Sequence, residues 1–222
     1  MMNNNDIFPY IDHTLLRATS TRAEIDKLCT EALEYETASV CIPAAYVAYV
    51  HEKHPRLNIC TVIGFPLGYS TTAVKCFEAE DAIRNGASEI DMVVDLCDVK
   101  NGDLDRVEAE ISAVKKSCGD KILKVIIETC YLTDEEKIAL CGCVTRAGAD
   151  FIKTSTGFGT DGARIEDIRL FKEHIGDAVR MKAAGGVRSK ADLEMFIEAG
   201  CARIGTSSAV KLLLSGESNG GY

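Results

Sequence analysis

Residues 121–157, KILKVIIETCYLTDEEKIALCGCVTRAGADFIKTSTG, hold one complete cycle of the pattern that decides the fold. Residues 121–127 are an apolar, β-branched run, as expected of a strand buried on both faces. Thr133, followed three residues later by Glu136, is a capping box and predicts a helix that continues to Arg146. Phe151, Ile152 and Lys153 then read as the next strand.

The same cycle recurs in both directions. Strands are predicted at residues 10–12, 39–42, 58–65, 89–94, 179–182 and 203–205. Between them lie helical stretches. The first starts at about Ser20, taken as its cap, with Ile25, Leu28, Cys29 and Ala32 at helical spacing. Others cover residues 44–51, 72–85 with Gly86 as the stop, 104–116, 165–174 and 190–198, and a short last helix opens at Ser207 or Ser208. An open doubly wound sheet shares this alternation. Eight strand–helix units with no long linker favour a (β/α)8 TIM barrel, one α/β domain over residues 1–222 with a short lead and a polar, glycine-rich tail from about 215.

Composition excludes several function classes. The net charge of −9 is the wrong sign for a nucleic-acid binder. No apolar run approaches the roughly 20 residues that span a bilayer. The start, Met1 to Asp6, has neither the basic nor the apolar part of an export signal, which points to the cytoplasm. The ten cysteines then read as reduced thiols, most of them in apolar runs such as those around Cys41 and Cys60. Cys141 and Cys143 lack a second pair at zinc-site spacing, so no metal is expected.

A barrel carries its chemistry at the carboxyl ends of its strands. Asp12, Cys41, Asp91, Lys124, Lys153 and Lys182 all fall at predicted strand ends. Lys153 and Lys182 occupy equivalent places on neighbouring strands, about 4.8 Å apart. Two such ammonium groups should depress one pKa and leave a neutral amine able to attack a carbonyl. The residues alone leave a plainer reading open, in which each lysine snorkels or pairs with a carboxylate. Asp91 in turn can move protons or simply neutralise an interior lysine. Gly185, Gly186 and Arg188 after the seventh strand, and Gly205, Ser207 and Ser208 after the eighth, are suited to an anion such as phosphate. Gly157 to Gly162 matches GxGxxG but lies in the sixth unit, where a dinucleotide fingerprint is not expected, so no cofactor is implied.

With these residues assembled, the chain resembles the deoxyribose-phosphate aldolase family of class I, Schiff-base aldolases. The motifs that carry the resemblance are Ile11-Asp-His-Thr-Leu-Leu16, Gly64-Phe-Pro-Leu-Gly68, Glu89-Ile-Asp-Met-Val93, Lys124-Val-Ile-Ile-Glu-Thr129, Phe151-Ile-Lys-Thr-Ser-Thr-Gly157, Lys182-Ala-Ala-Gly-Gly-Val-Arg188 and Gly205-Thr-Ser-Ser208. The resemblance implies reversible cleavage of 2-deoxyribose 5-phosphate to glyceraldehyde 3-phosphate and acetaldehyde, in the breakdown of deoxyribose phosphates. It implies that Lys153 forms the imine, that Lys182 tunes it, and that Asp91 transfers protons. It further implies that Asp12, Cys41, Lys124, Thr156, Gly157, Gly185, Gly186, Arg188, Gly205, Ser207, Ser208 and the terminal Tyr222 meet the substrate. It implies no metal and no cofactor, and it suggests a homodimer.

The chain departs from the family pattern at Ile42-Pro43-Ala44, at Asp95, where asparagine is common, and at Gly159 and Asp161 in the sixth loop. These positions bear on rate and substrate preference more than on reaction type. A phosphosugar isomerase or epimerase on the same barrel, or a non-catalytic sugar-phosphate binder, are the rival readings.

Overall fold

Strands form where the apolar runs predict them. In the computed structural model, which describes residues 2–215, they are β1 (Ile11–Thr14), β2 (Ser39–Ile42), β3 (Ile59–Ile63), β4 (Glu89–Val93), β5 (Ile122–Ile126), β6 (Phe151–Lys153), β7 (Arg180–Ala184) and β8 (Cys201–Thr206). Each pairs in parallel with the next and β8 pairs with β1, which closes the barrel. The (β/α)8 expectation is met. Strands β1, β7 and β8 run one or two residues beyond their predicted ends, β8 also opens two residues early, and β3 stops at Ile63, two residues short of its predicted end.

The helices are α1 (Asn4–Ile7), α2 (Arg22–Glu34), α3 (Val47–Lys53), α4 (Thr72–Arg84), α5 (Leu96–Asn101), α6 (Leu104–Cys118), α7 (Asp134–Arg146), α8 (Ile165–His174), α9 (Lys190–Ala199) and α10 (Ala209–Ser215). The Thr133–Glu136 capping box opens α7 as expected. Helix α2 is capped by Thr21 rather than Ser20: Thr21 accepts from the Glu24 N–H, while the Ser20 hydroxyl turns back to the Arg17 carbonyl. The buried face of α2 is Ile25, Leu28, Cys29 and Ala32, the four residues its spacing picked out. Gly86, just past α4, has φ +109°, and a methyl there would lie 2.2 Å from the His51 ring, so glycine is required. Helices α1 and α5 are too short to show a period and were not predicted.

Strand alternation divides the barrel into two interiors of opposite character. Outward-facing Val40, Ile42, Ile90, Met92, Leu123, Val125, Ile152, Ala183 and Ile204 pack under the helices in one apolar cluster and are fully buried. The inward positions hold charge, and Asp12, Glu89, Asp91, Lys124, Lys153, Lys182 and Arg203 reach one another across the barrel axis. A barrel interior is ordinarily filled with branched apolar side chains. Here the outer shell supplies the hydrophobic stabilisation, of about 1.5–3 kcal/mol for each large apolar side chain, and the inner one is polar.

Candidate active site

Asp91 is the hub of the inner network. Its Oδ2 accepts from Lys153 Nζ and from Lys182 Nζ, each at 2.7 Å. Its Oδ1 accepts from Lys124 Nζ at 2.8 Å and from the Cys60 thiol at 3.1 Å. Barrel register makes this geometry: Asp91 lies opposite Lys124 on β5, and Lys153 lies opposite Lys182 on β7. Asp12 adds a second carboxylate, 2.5 Å from Lys182 Nζ and also bonded to Arg203. Glu89 holds Lys124 at 2.6 Å and Arg203 at 2.7 Å.

The lysine pair therefore meets across a carboxylate rather than face to face. Burial opposes the charge on Lys182, but Asp12 and Asp91 outweigh it and hold its pKa above the ordinary lysine value. The depressed pKa expected from Lys–Lys repulsion is thus not found at Lys182, because strands β1 and β4 bring two carboxylates to it. Burial likewise opposes charge on Lys124, which Asp91, Cys60, Asp12 and Glu89 keep well above the usual range. On the acidic side, burial raises Asp91, and the three lysines more than reverse it, holding it well below the usual carboxylate range. Asp12 and Glu89 are lowered for the same reason, with burial opposing and Lys182 or Lys124 prevailing.

Three carboxylates thus face four cations in a closed space. Lys124 and Lys182 are fully buried, each against two or more carboxylates. Lys153 has one carboxylate partner and keeps 3% exposure toward the strand ends. It is the most exposed of the three inner lysines.

This network predicts acid sensitivity. The carboxylate pKa values are lowered on folding, so they stabilise the fold above their unfolded values of about 4 and lose that contribution as pH falls through the folded ones. Circular dichroism during acid titration should show unfolding only below about pH 4. A melting temperature that stays level from pH 6 to pH 3 would contradict it.

The seven residues predicted for phosphate, Gly157, Gly185, Gly186, Arg188, Gly205, Ser207 and Ser208, line a single cavity of about 380 Å³ at the ends of β6, β7 and β8. Gly205 joins this cavity to the lysines, since a methyl on it would lie 3.2 Å from Lys182 Cε. Thr206, Thr160 and Gly162 line it too, outside the set expected to meet the phosphate. A Cβ on Gly162 would fall 2.5 Å from the Gly185 carbonyl carbon, a contact that no spacing rule reveals. Asp161 reaches the same wall, where Arg164 holds it at 2.8 Å and Gly162 N–H donates to it. Asp95 caps α5, accepting from the Cys97 N–H at 2.8 Å.

Other expected residues take different places. Asp12 and Lys124 lie inside the network, fully buried, touching Lys182 and Asp91 rather than the cavity. Thr156 is buried and bonded to Glu128. Cys41 lies opposite Cys60 in register, and its hydrogen bond to Cys60 lowers its pKa while burial drives that of Cys60 well up. Cys41, Cys60 and Asp91 offer three ligand atoms within 4.8 Å of one another, but both oxygens of Asp91 already accept from ammonium groups that would repel a cation. The Ser155 hydroxyl, just beyond Lys153, is buried and has no partner among the described residues. Tyr222 and the tail from 216 lie outside them.

The sequence matches the family model for DeoC/LacD family aldolases over residues 7–216. The chain belongs to this family. The aldolase is 59% identical over 222 residues, all of both chains, to the deoxyribose-phosphate aldolase of Clostridium botulinum (strain Alaska E43 / Type E3). It is 58% identical over 213 residues, 96% of each chain, to that of Streptococcus pyogenes serotype M4 (strain MGAS10750). The solved tetrameric deoxyribose phosphate aldolase of Aeropyrum pernix superposes with a TM-score of 0.89 at 32% identity, covering 96% of this chain and 92% of that one. The aldolase is accordingly a carbon–carbon lyase. No helix among its described residues is long and apolar enough to cross a membrane.

Proposed function

We propose that this aldolase cleaves 2-deoxyribose 5-phosphate to acetaldehyde and glyceraldehyde 3-phosphate through an imine on Lys153, and runs the reverse addition. The observation that carries the reading is the placement of Lys153. It is the most accessible amine of the inner network and is bonded to Asp91, on the strand whose following loop supplies Gly157 to the cavity wall. The names of the relatives supply the substrate.

The chemistry follows from the geometry. With its proton withdrawn, Lys153 Nζ adds to the open-chain aldehyde at C1, and loss of water gives the iminium. Removal of the C3 hydroxyl proton breaks the C2–C3 bond. The bonding pair moves into the iminium as an enamine, and glyceraldehyde 3-phosphate departs. Protonation of the enamine carbon and hydrolysis then release acetaldehyde and restore the amine. Asp91, through an ordered water, moves these protons, while Lys182 stays cationic and competes with Lys153 for the same carboxylate oxygen. Gly157, Gly185, Gly186, Arg188, Gly205, Ser207 and Ser208 receive the phosphate. No metal is needed in this scheme, because the iminium takes the electron pair.

The reading includes one barrel domain, a cytoplasmic location consistent with ten free thiols, and a role in breaking down deoxyribose phosphates. It also includes a homodimer, for which exposed Leu67, Tyr69, Val74 and Phe77 supply apolar area.

The experiment is reductive trapping. Incubation with acetaldehyde followed by borohydride should leave an N-ethyl group on Lys153, mapped by peptide mass spectrometry. An isomerase, an epimerase or a simple sugar-phosphate binder would leave that lysine unmodified, and that result would end the proposal.

A further inference from the structure

Glu128 belongs to the Lys124–Thr129 motif, yet the reaction as written makes no use of it. It has φ +44° and ψ +67°, a left-handed backbone that residues with a Cβ seldom adopt. Its side chain is almost wholly buried. One carboxyl oxygen accepts from the Thr156 N–H at 3.2 Å, and the other accepts from the Thr156 hydroxyl. That hydroxyl in turn accepts from the Phe158 N–H at 3.0 Å. Between these two anchored residues stands Gly157, at φ +88°, on the wall of the anion cavity.

Glycine at 159 permits this packing, since a methyl there would come within 3.1 Å of the Glu128 carboxyl carbon. Both Glu128 oxygens accept from Thr156, and the Cys130 thiol lies 3.9 Å from one of them. A buried carboxyl group in a costly backbone conformation, with both oxygens engaged by one residue of the loop after β6, serves that loop's shape.

We propose that Glu128 is a positioning residue: through Thr156 it holds the turn at Gly157 in the form that accepts the substrate's phosphate, and so sets the preference for phosphorylated sugars. The proposal rests on the aldolase reading above and deepens it. It makes Thr156 a clamp on the loop, its hydroxyl engaged by Glu128 and Phe158.

The test compares Glu128→Gly and Glu128→Gln with the parent enzyme. Glycine suits a positive φ, so the first variant keeps the backbone and loses only the carboxylate. Glutamine keeps an acceptor for the Thr156 N–H. Glu128→Gly should raise KM for deoxyribose 5-phosphate by about tenfold or more and weaken inhibition by inorganic phosphate in parallel. Trapping of acetaldehyde on Lys153, which involves no phosphate, should change by less than about twofold, and Glu128→Gln should recover most of the affinity. Unchanged KM and phosphate inhibition in Glu128→Gly would overturn the proposal, as would an equal loss in acetaldehyde trapping. If the parent enzyme itself gave no Lys153 adduct, the aldolase reading would fall first and this inference with it.

Discussion

Replacing Lys153 with leucine should eliminate the borohydride-trapped adduct and lower turnover of deoxyribose 5-phosphate by at least about 10⁴-fold. Leucine keeps much of the apolar stem and removes the nitrogen that would form the imine. The neighbouring amines cannot replace it, because Lys124 and Lys182 are fully enclosed and each is held by several carboxylates. The variant should fold. Asp91 keeps two ammonium partners, and the inner network then has as many carboxylates as cations. Its melting temperature should equal or exceed that of the parent, since an unmatched buried charge has gone. Turnover within tenfold of the parent, or an adduct formed on another lysine, would remove Lys153 from its proposed role.

Asp91→Asn is the second large effect, and it should differ in kind. The amide fills the same volume but presents no charge to Lys124, Lys153 and Lys182. Two carboxylates would then face four cations, three of them buried lysines. Breaking a buried pair typically costs about 3–5 kcal/mol, so the melting temperature should fall sharply at neutral pH. Melting curves of parent and variant at pH 7 check this loss. Activity should fall by about 10²- to 10⁴-fold, the range for loss of a proton-transfer group. A variant as stable as the parent at pH 7, with full turnover, would show that Asp91 neither anchors the lysines nor moves protons.

The fold was legible because most of its elements announce themselves locally. The run at 121–127 and the Thr133–Glu136 box state their structure within a few residues. Helix α5 does not, since six residues opened by an aspartate cap are too few to repeat a period. The correction at Thr21 is of the same size: two adjacent hydroxyl residues both suit a cap, and only the chain's direction selects one.

The site divides differently. That Lys153, Lys182 and Asp91 lie on strands could be read from the chain, and so could the glycine and hydroxyl turns that enclose the cavity, but only Lys153 ends its strand, while Asp91 and Lys182 sit two residues short of the ends of β4 and β7. Their electrical state could not. Two lysines on neighbouring strands argue for a lowered pKa, but closure of the barrel brings Asp12 and Asp91 to Lys182 and reverses the sign. Glu89, Cys60 and Arg203 sit in runs that look purely structural, and their partners lie far along the chain, with Asp12 and Arg203 separated by 191 positions. Glu128 is the same case, bound to a loop 28 residues away in a backbone conformation no pattern predicts. Periodicity and capping are near-neighbour physics, so the sequence determined the strands, the helices and the identity of the reactive groups. Coulombic balance in a closed space depends on which strands meet, so only the tertiary structure decided which lysine is accessible, which stay charged and how the loop beside them is held.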